Sequence, residues 1–288
     1  MEDKVTAFAR ESFPQMSEEE RREAIRSLRK LIDEARGRIA ELLLEVDDIL
    51  LQINPRIEAE YATKIGYLEN DLLKWQIAAR RARRRYTLAQ ARTNAGDAVV
   101  ADAFETQLDE EFADWEALLT KSVEAFLQAA ELMASSRPLS PSESRELKGL
   151  HRELIKRLHP DLNSGQSDEA TRFFMVAQAA YEKGDLDVLR SVAVATEGMG
   201  AEEYGSNWTE DESAAELELV LAHERVVARQ LEELKRSNPY TLREKLEDAE
   251  WVIWRTSELK GQIAEQKEAA RAYDERFNQL IGRKQHER

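Results

Sequence analysis

His159 and Asp161 are the residues of this chain whose types and spacing first invite chemistry. An imidazole two residues from a carboxylate suits a general base with its orienting acid, or two ligands of a metal ion. A catalytic or metal centre needs more than a pair. The other histidines, His151, His223 and His286, are scattered, with no His-x-x-x-His spacing or paired acidic cluster beside them, whereas a metal site requires three or four convergent ligands. The absence of cysteine from all 288 residues excludes disulfide frameworks, thiolate zinc sites and cysteine nucleophiles together. No glycine-rich phosphate loop occurs. The chain is therefore read as a non-enzyme without metal or other cofactor, and His159-Pro160-Asp161 as a surface for recognition.

Two helices must position that tripeptide. Ser140-Pro141-Ser142-Glu143 places a hydroxyl at an N-cap, proline in the first turn and a carboxylate three residues on, so a helix is predicted from about residue 141. Leu147, Leu150, Leu154 and Leu158 form its apolar stripe, and Arg145, Lys148, Arg152, Lys156 and Arg157 fall mostly elsewhere, giving a cationic face. Pro160 disfavours an α conformation for His159 and ends the helix there. A second helix is predicted from near Ser167 to Gly184, with Phe173, Phe174, Ala177, Ala180 and Tyr181 on one side, and a short one from Asp185 to about Val194. The first two are expected to pack as an antiparallel hairpin, and His151 to sit at its edge.

These residues resemble a J-domain, the module that activates a DnaK-type chaperone ATPase. J-domains carry a basic-aliphatic run before His-Pro-Asp, often an asparagine two residues later, then Phe-x-x-aliphatic-x-x-Ala-Tyr in the next helix. Here the counterparts are Arg152-Glu153-Leu154 leading to His159-Pro160-Asp161, then Asn163, Phe174, Ala177 and Ala180-Tyr181. The resemblance implies that Lys148, Arg152, Lys156, His159, Pro160, Asp161 and Asn163 meet an acidic groove on the chaperone. Docking would speed ATP hydrolysis without chemistry by this chain, as charge-assisted, salt-sensitive recognition. Leu158 stands where the family has an aromatic, Leu162 where it has a cation, and Glu153 where a basic residue is common, substitutions that would lower affinity. The family's Tyr-x-x-Leu-Gly first helix is absent, and Phe126 to Met133 is the expected stand-in.

The rest of the chain reads as long helices, with 34% charged residues but only 11 glycines and 6 prolines. Leu28, Ile32, Ala35, Ile39, Leu42, Val46, Ile49 and Ile53 alternate at spacings of 3 and 4, a heptad seam. After an interruption at Asn54-Pro55, Tyr61, Ile65, Leu68, Leu72, Trp75, Ala79, Ala82, Tyr86 and Ala89 form a second seam, the expected partner of the first. A third helix over about 98–134 carries Phe104, Leu108, Trp115, Leu118, Phe126 and Ala129. A last one, about 240–282, repeats the alternation from Val252 to Leu280. The expected fold is all-α, with long coiled-coil helical hairpins flanking a small J-domain-like hairpin. Its expected segments are a coiled-coil region at 1–135, the J-like segment at 136–195, a flexible linker at 196–211 and a coiled-coil arm at 212–288.

Net charge is −15, so nucleic acid is not an expected partner. The basic block Arg80-Arg81-Ala82-Arg83-Arg84-Arg85 keeps heptad phase through Ala82 and Tyr86, which predicts pairing with acids of an adjoining helix. Trp208, in the linker, is a candidate anchor for a partner. Met1 to Phe13 lacks a signal-peptide core, and no run of ~18 apolar residues occurs. A cytoplasmic protein away from membranes is expected, with a DnaK-type chaperone as partner and coiled coils for clients or self-association. The alternative is a non-catalytic coiled-coil scaffold or adaptor with a degenerate J-like hairpin.

Overall fold

A computed structural model describes residues 17–97, 99, 102, 104–135, 139–163, 165–199 and 208–286. Residues 1–16 and 200–207, the latter the middle of the expected linker, lie outside it. Among the described residues the fold is all-α, with no strand. The chain divides into two compact units, Met1–Pro55 with Arg137–Tyr240 and Arg56–Ser136 with Thr241–Arg288. This grouping cuts across the segments expected from sequence, because each apolar stripe finds its partner far along the chain.

In the first unit, α1 (Glu18–Asp47) starts at a capping box formed by Ser17 and Glu20. It is followed by a π-helical stretch, Asp48–Ile53, whose C-cap Asn54 N–H donates to the Ile49 carbonyl. Asn54 stays helical there despite Pro55, so α2 (Asn54–Tyr61), which belongs to the second unit from Arg56 on, begins without the predicted interruption. The 136–195 segment comprises α5 (Pro141–Leu158), α6 (Asp168–Lys183) and α7 (Leu186–Ala195). The unit is completed by α8 (Glu210–Arg236), which starts at a Thr209–Glu212 capping box.

The partner of α1 is α8. Arg21 pairs with Glu210, Arg38 with Glu224 and Glu45 with Lys235, so the numbers climb together and the helices run parallel. The expected partner was the second seam. Parallel neighbours cannot be joined by a short turn, which is why the intervening elements fit between them in sequence. Along α1 and into the π-helical stretch, the predicted stripe from Leu28 to Ile49 is buried except for partly covered Leu42, and Ala40, Leu43 and Leu44 are buried too. The burial is wider than a seam because α1 also packs along α5, antiparallel to it.

In the second unit, α3 (Tyr67–Asn94) follows a π-helical stretch, Ala62–Gly66, and packs with α4 (Glu105–Ser135) and α10 (Ala249–His286). A short α9 (Leu242–Glu247) precedes α10. Glu69 pairs with Arg255 and Arg85 with Asp274, so α3 and α10 are also parallel. The α4 helix runs antiparallel to α3, Asn70 meeting Ser122 and Arg84 meeting Glu111. Phe104, Leu108 and Phe112 of the α4 end join Ile77, Ala89 and Phe277 in a core. Farther along α4, Trp115 and Leu118 of the predicted stripe are exposed. No described helix is long and apolar enough to cross a membrane.

Candidate functional site

The hairpin is assembled by local chemistry. Ser140 accepts from the Glu143 N–H while the Glu143 carboxylate accepts from the Ser140 N–H, starting α5 at Pro141. The helix closes with the His159 N–H donating to the Ile155 carbonyl at 2.9 Å, and His159 itself is extended, as the following proline demands. Ser167 caps α6 through the Ala170 N–H, and Gly184 ends it in the left-handed conformation at φ 67°. A Cβ on Gly184 would also lie 3.5 Å from Leu139. Leu147, Leu154 and Leu158 are buried against Phe174, Ala177, Ala180 and Tyr181, whereas Leu150 and Phe173 are only partly covered.

The tripeptide forms a self-bonded turn. The Asp161 N–H donates to His159 Nδ1 at 3.1 Å, and the N–H groups of Leu162 and Asn163 both donate to the His159 carbonyl at 3.0 Å. The Asn163 side-chain amide reaches the carbonyls of His159 and Lys156, satisfying the end of α5. The His159 ring meets Phe174 edge-on at 4.8 Å. Burial holds its pKa below the usual value, outweighing the opposing pull of Asp161 and Asp47. Pro160 and Asp161 are exposed. Leu158 and Leu162, the two departures from J-domain pattern beside the tripeptide, are core residues of this unit, and Arg36 of α1 donates to the Leu162 carbonyl.

The cationic face is not bare. Lys148 lies 2.6 Å from Asp48, and Arg152 and Lys156 lie 3.1 and 3.7 Å from the two oxygens of Glu41. Arg157 donates to the Ala193 carbonyl and to Thr196, tying α5 to the end of α7. Arg145 donates to the Pro141 carbonyl. On the other side of the turn, His223 of α8 stands 3.3 Å from the Asp161 carboxylate. All seven residues predicted for docking thus lie along one helix and its terminal loop, where Lys148, Arg152 and Lys156 already meet carboxylates of α1 and of the π-helical stretch after it, and Asp161 meets an imidazole of α8.

His151 is a correction to the sequence reading. It is fully buried rather than at an edge, with Nε2 2.8 Å from Asp47 and its ring stacked on Tyr181 at 3.9 Å. The Tyr181 hydroxyl donates to Asp48, and burial together with that carboxylate raises its pKa. Gln52 donates to the Tyr181 and Glu182 carbonyls. The helix laid on the hairpin is therefore α1; the expected stand-in, 126–133, belongs to the second unit. Sequence reasoning missed Glu41, Asp47, Asp48 and His223. A signal existed for two of them, since Asp47-Asp48 interrupts the apolar run from Leu42 to Ile53 and buried carboxylates demand partners.

Two other candidates resolve within their units. Arg81 binds Glu105, Asp109 and Glu116, Arg84 grips Glu111 through two bonds, Arg85 binds Asp274, and Arg80 lies over Trp115. Arg84, with help from Gln107, pulls the Glu111 carboxyl down to about 2. Trp208 packs against the core of the first unit rather than standing out as an anchor. Among the described residues, no group of three or more His, Asp or Glu side chains is arranged to hold a metal ion. Compared with known proteins, the chain matches no family model, no curated protein and no solved structure.

Proposed function

We propose that the 140–195 region is a J-domain-like docking module through which this chain engages a DnaK-type chaperone in the cytoplasm and stimulates its ATP hydrolysis. The chain performs no chemistry itself, and its long helices serve client binding or self-association. The observation that carries this reading is the turn at 159–161. Pro160 and Asp161 are exposed at the end of a cationic helix, and the turn is held by its own hydrogen bonds and by the His159–Phe174 contact. A turn fixed in advance meets its partner without a large ordering cost. Lys148, Arg152 and Lys156 add the charge that an acidic groove would select.

The second reading is a coiled-coil scaffold in which the hairpin is only structural. It is favoured by the carboxylates of Glu41 and Asp48 that already answer those three cations. Steady-state ATP hydrolysis by a purified DnaK-type chaperone separates the two. On the docking reading the wild-type chain stimulates hydrolysis, and His159→Gln abolishes the stimulation with helix content by circular dichroism unchanged. A wild-type chain that leaves the ATPase rate untouched leaves only the scaffold.

A further inference from the structure

The cations of α5 are answered in sequence. Going down α1 and into the π-helical stretch after it, Glu41 meets Lys156 and Arg152, Asp47 meets His151, and Asp48 meets Lys148. Glu41 and Asp48 are seven residues apart and so lie on the same side of their helix, while 148, 152 and 156 rise by one turn each on the facing one. Two antiparallel helices bring these two rows together. At the far end His223 meets the Asp161 carboxylate, so α1 and α8, parallel partners of each other, both touch the proposed docking row.

We propose that Glu41 of α1 and Asp48 of the π-helical stretch that continues it, with His223 of α8, are a built-in competitor for the chaperone, occupying the cationic row and Asp161 until an acidic groove displaces them. The inference rests on the docking reading above. The groove would offer carboxylates to Lys148, Arg152 and Lys156, and Glu41 and Asp48 already do, so docking becomes an exchange of one set of carboxylates for another. The clasp is built to be displaced. The side chains of Arg152, Lys156 and Glu41 are each about half exposed, and pairs of that kind contribute little individually. Asp47 and His151, by contrast, are buried and keep α1 in place while the outer pairs open.

The test is a titration of ATP hydrolysis by the DnaK-type chaperone encoded in the same genome, using the full chain. The opened variant is Glu41→Gln/His223→Ala; both side chains are partly solvent-exposed, and Asp48 is left intact because it also holds the Tyr181 hydroxyl. Glu232→Gln, which removes one charge from an exposed pair with Arg236 on α8, controls for net charge. The expected result is a fall of about three- to tenfold in the concentration for half-maximal stimulation with the opened variant, the range that weak surface pairs allow. The control should match wild type, and adding His159→Gln to the opened variant should remove the gain. Wild type that stimulates, with an opened variant no better, overturns the clasp and leaves the docking reading standing. Silence from both overturns both, whereas a silent wild type with an active opened variant supports both.

Discussion

At the scale of single residues, His159 links fold to the proposed docking. Because the Asp161 N–H donates to Nδ1, that nitrogen must keep its lone pair, and protonating it breaks the bond that shapes the turn. Burial lowers the pKa from the usual histidine value of about 6.5, so the unfolded chain takes up a proton more readily than the folded one. The sign follows: stability from this group is full above about pH 6.5 and is lost as pH falls from there through the lowered folded value. The difference in urea midpoint between wild type and His159→Gln should therefore shrink from pH 7.5 to 5.5. A gap that stays constant would mean the imidazole is not held neutral. The seven residues proposed for docking were named from sequence because the tripeptide and its flanks are contiguous. What faces them could not, since Glu41 and His223 are ordinary polar positions on helices far away in the chain.

Between elements, the join of α1 to the hairpin depends on the buried Asp47–His151 pair. Removing one member leaves the other desolvated without its partner, and His151 Nδ1 is already buried without a bond. Asp47→Ala is expected to cost about 3 kcal/mol, read as a lower urea midpoint together with faster amide exchange in α5 and α6. Loss of less than about 0.5 kcal/mol, the range of ordinary surface substitutions, would show that apolar packing alone holds the helices together. The bounds of α5, α6 and α7 were legible from sequence because caps act within one turn: Ser140 with Glu143, Ser167, Gly184 and Asp185 each satisfy or terminate backbone groups beside them. The passage through Asn54-Pro55 was not legible, because the π-helical stretch before it leaves no mark in residue type.

For the whole molecule, the division into two units follows from which stripes pair. The first unit contains one tryptophan, Trp208, and the other four, Trp75, Trp115, Trp251 and Trp254, lie in the second. A Trp208→Phe background therefore reports the second unit alone by fluorescence. In that background Leu108→Ala, at a fully buried position between Phe104 and Phe112, should cost about 2–5 kcal/mol, seen as a fall in urea midpoint. An unchanged midpoint would deny Leu108 its place in that core. The pairing inside the basic block belongs to the same unit: Arg81, Arg84 and Arg85 are spent on Glu and Asp of α4 and α10, as their heptad phase predicted.

Residue order alone determined the helical class, the buried stripe from Leu28 to Ile49, the ends of the 141–195 helices and the turn at His159-Pro160-Asp161, because periodicity, caps and proline act over one or two turns of chain. Only the tertiary structure decided that the first apolar stripe pairs in parallel with 210–236 rather than with the second, and that Glu41 and Asp48 pair with the cationic row. A heptad stripe states that a helix needs an apolar partner, but every such stripe is chemically alike, and the choice among them is made by packing at long range.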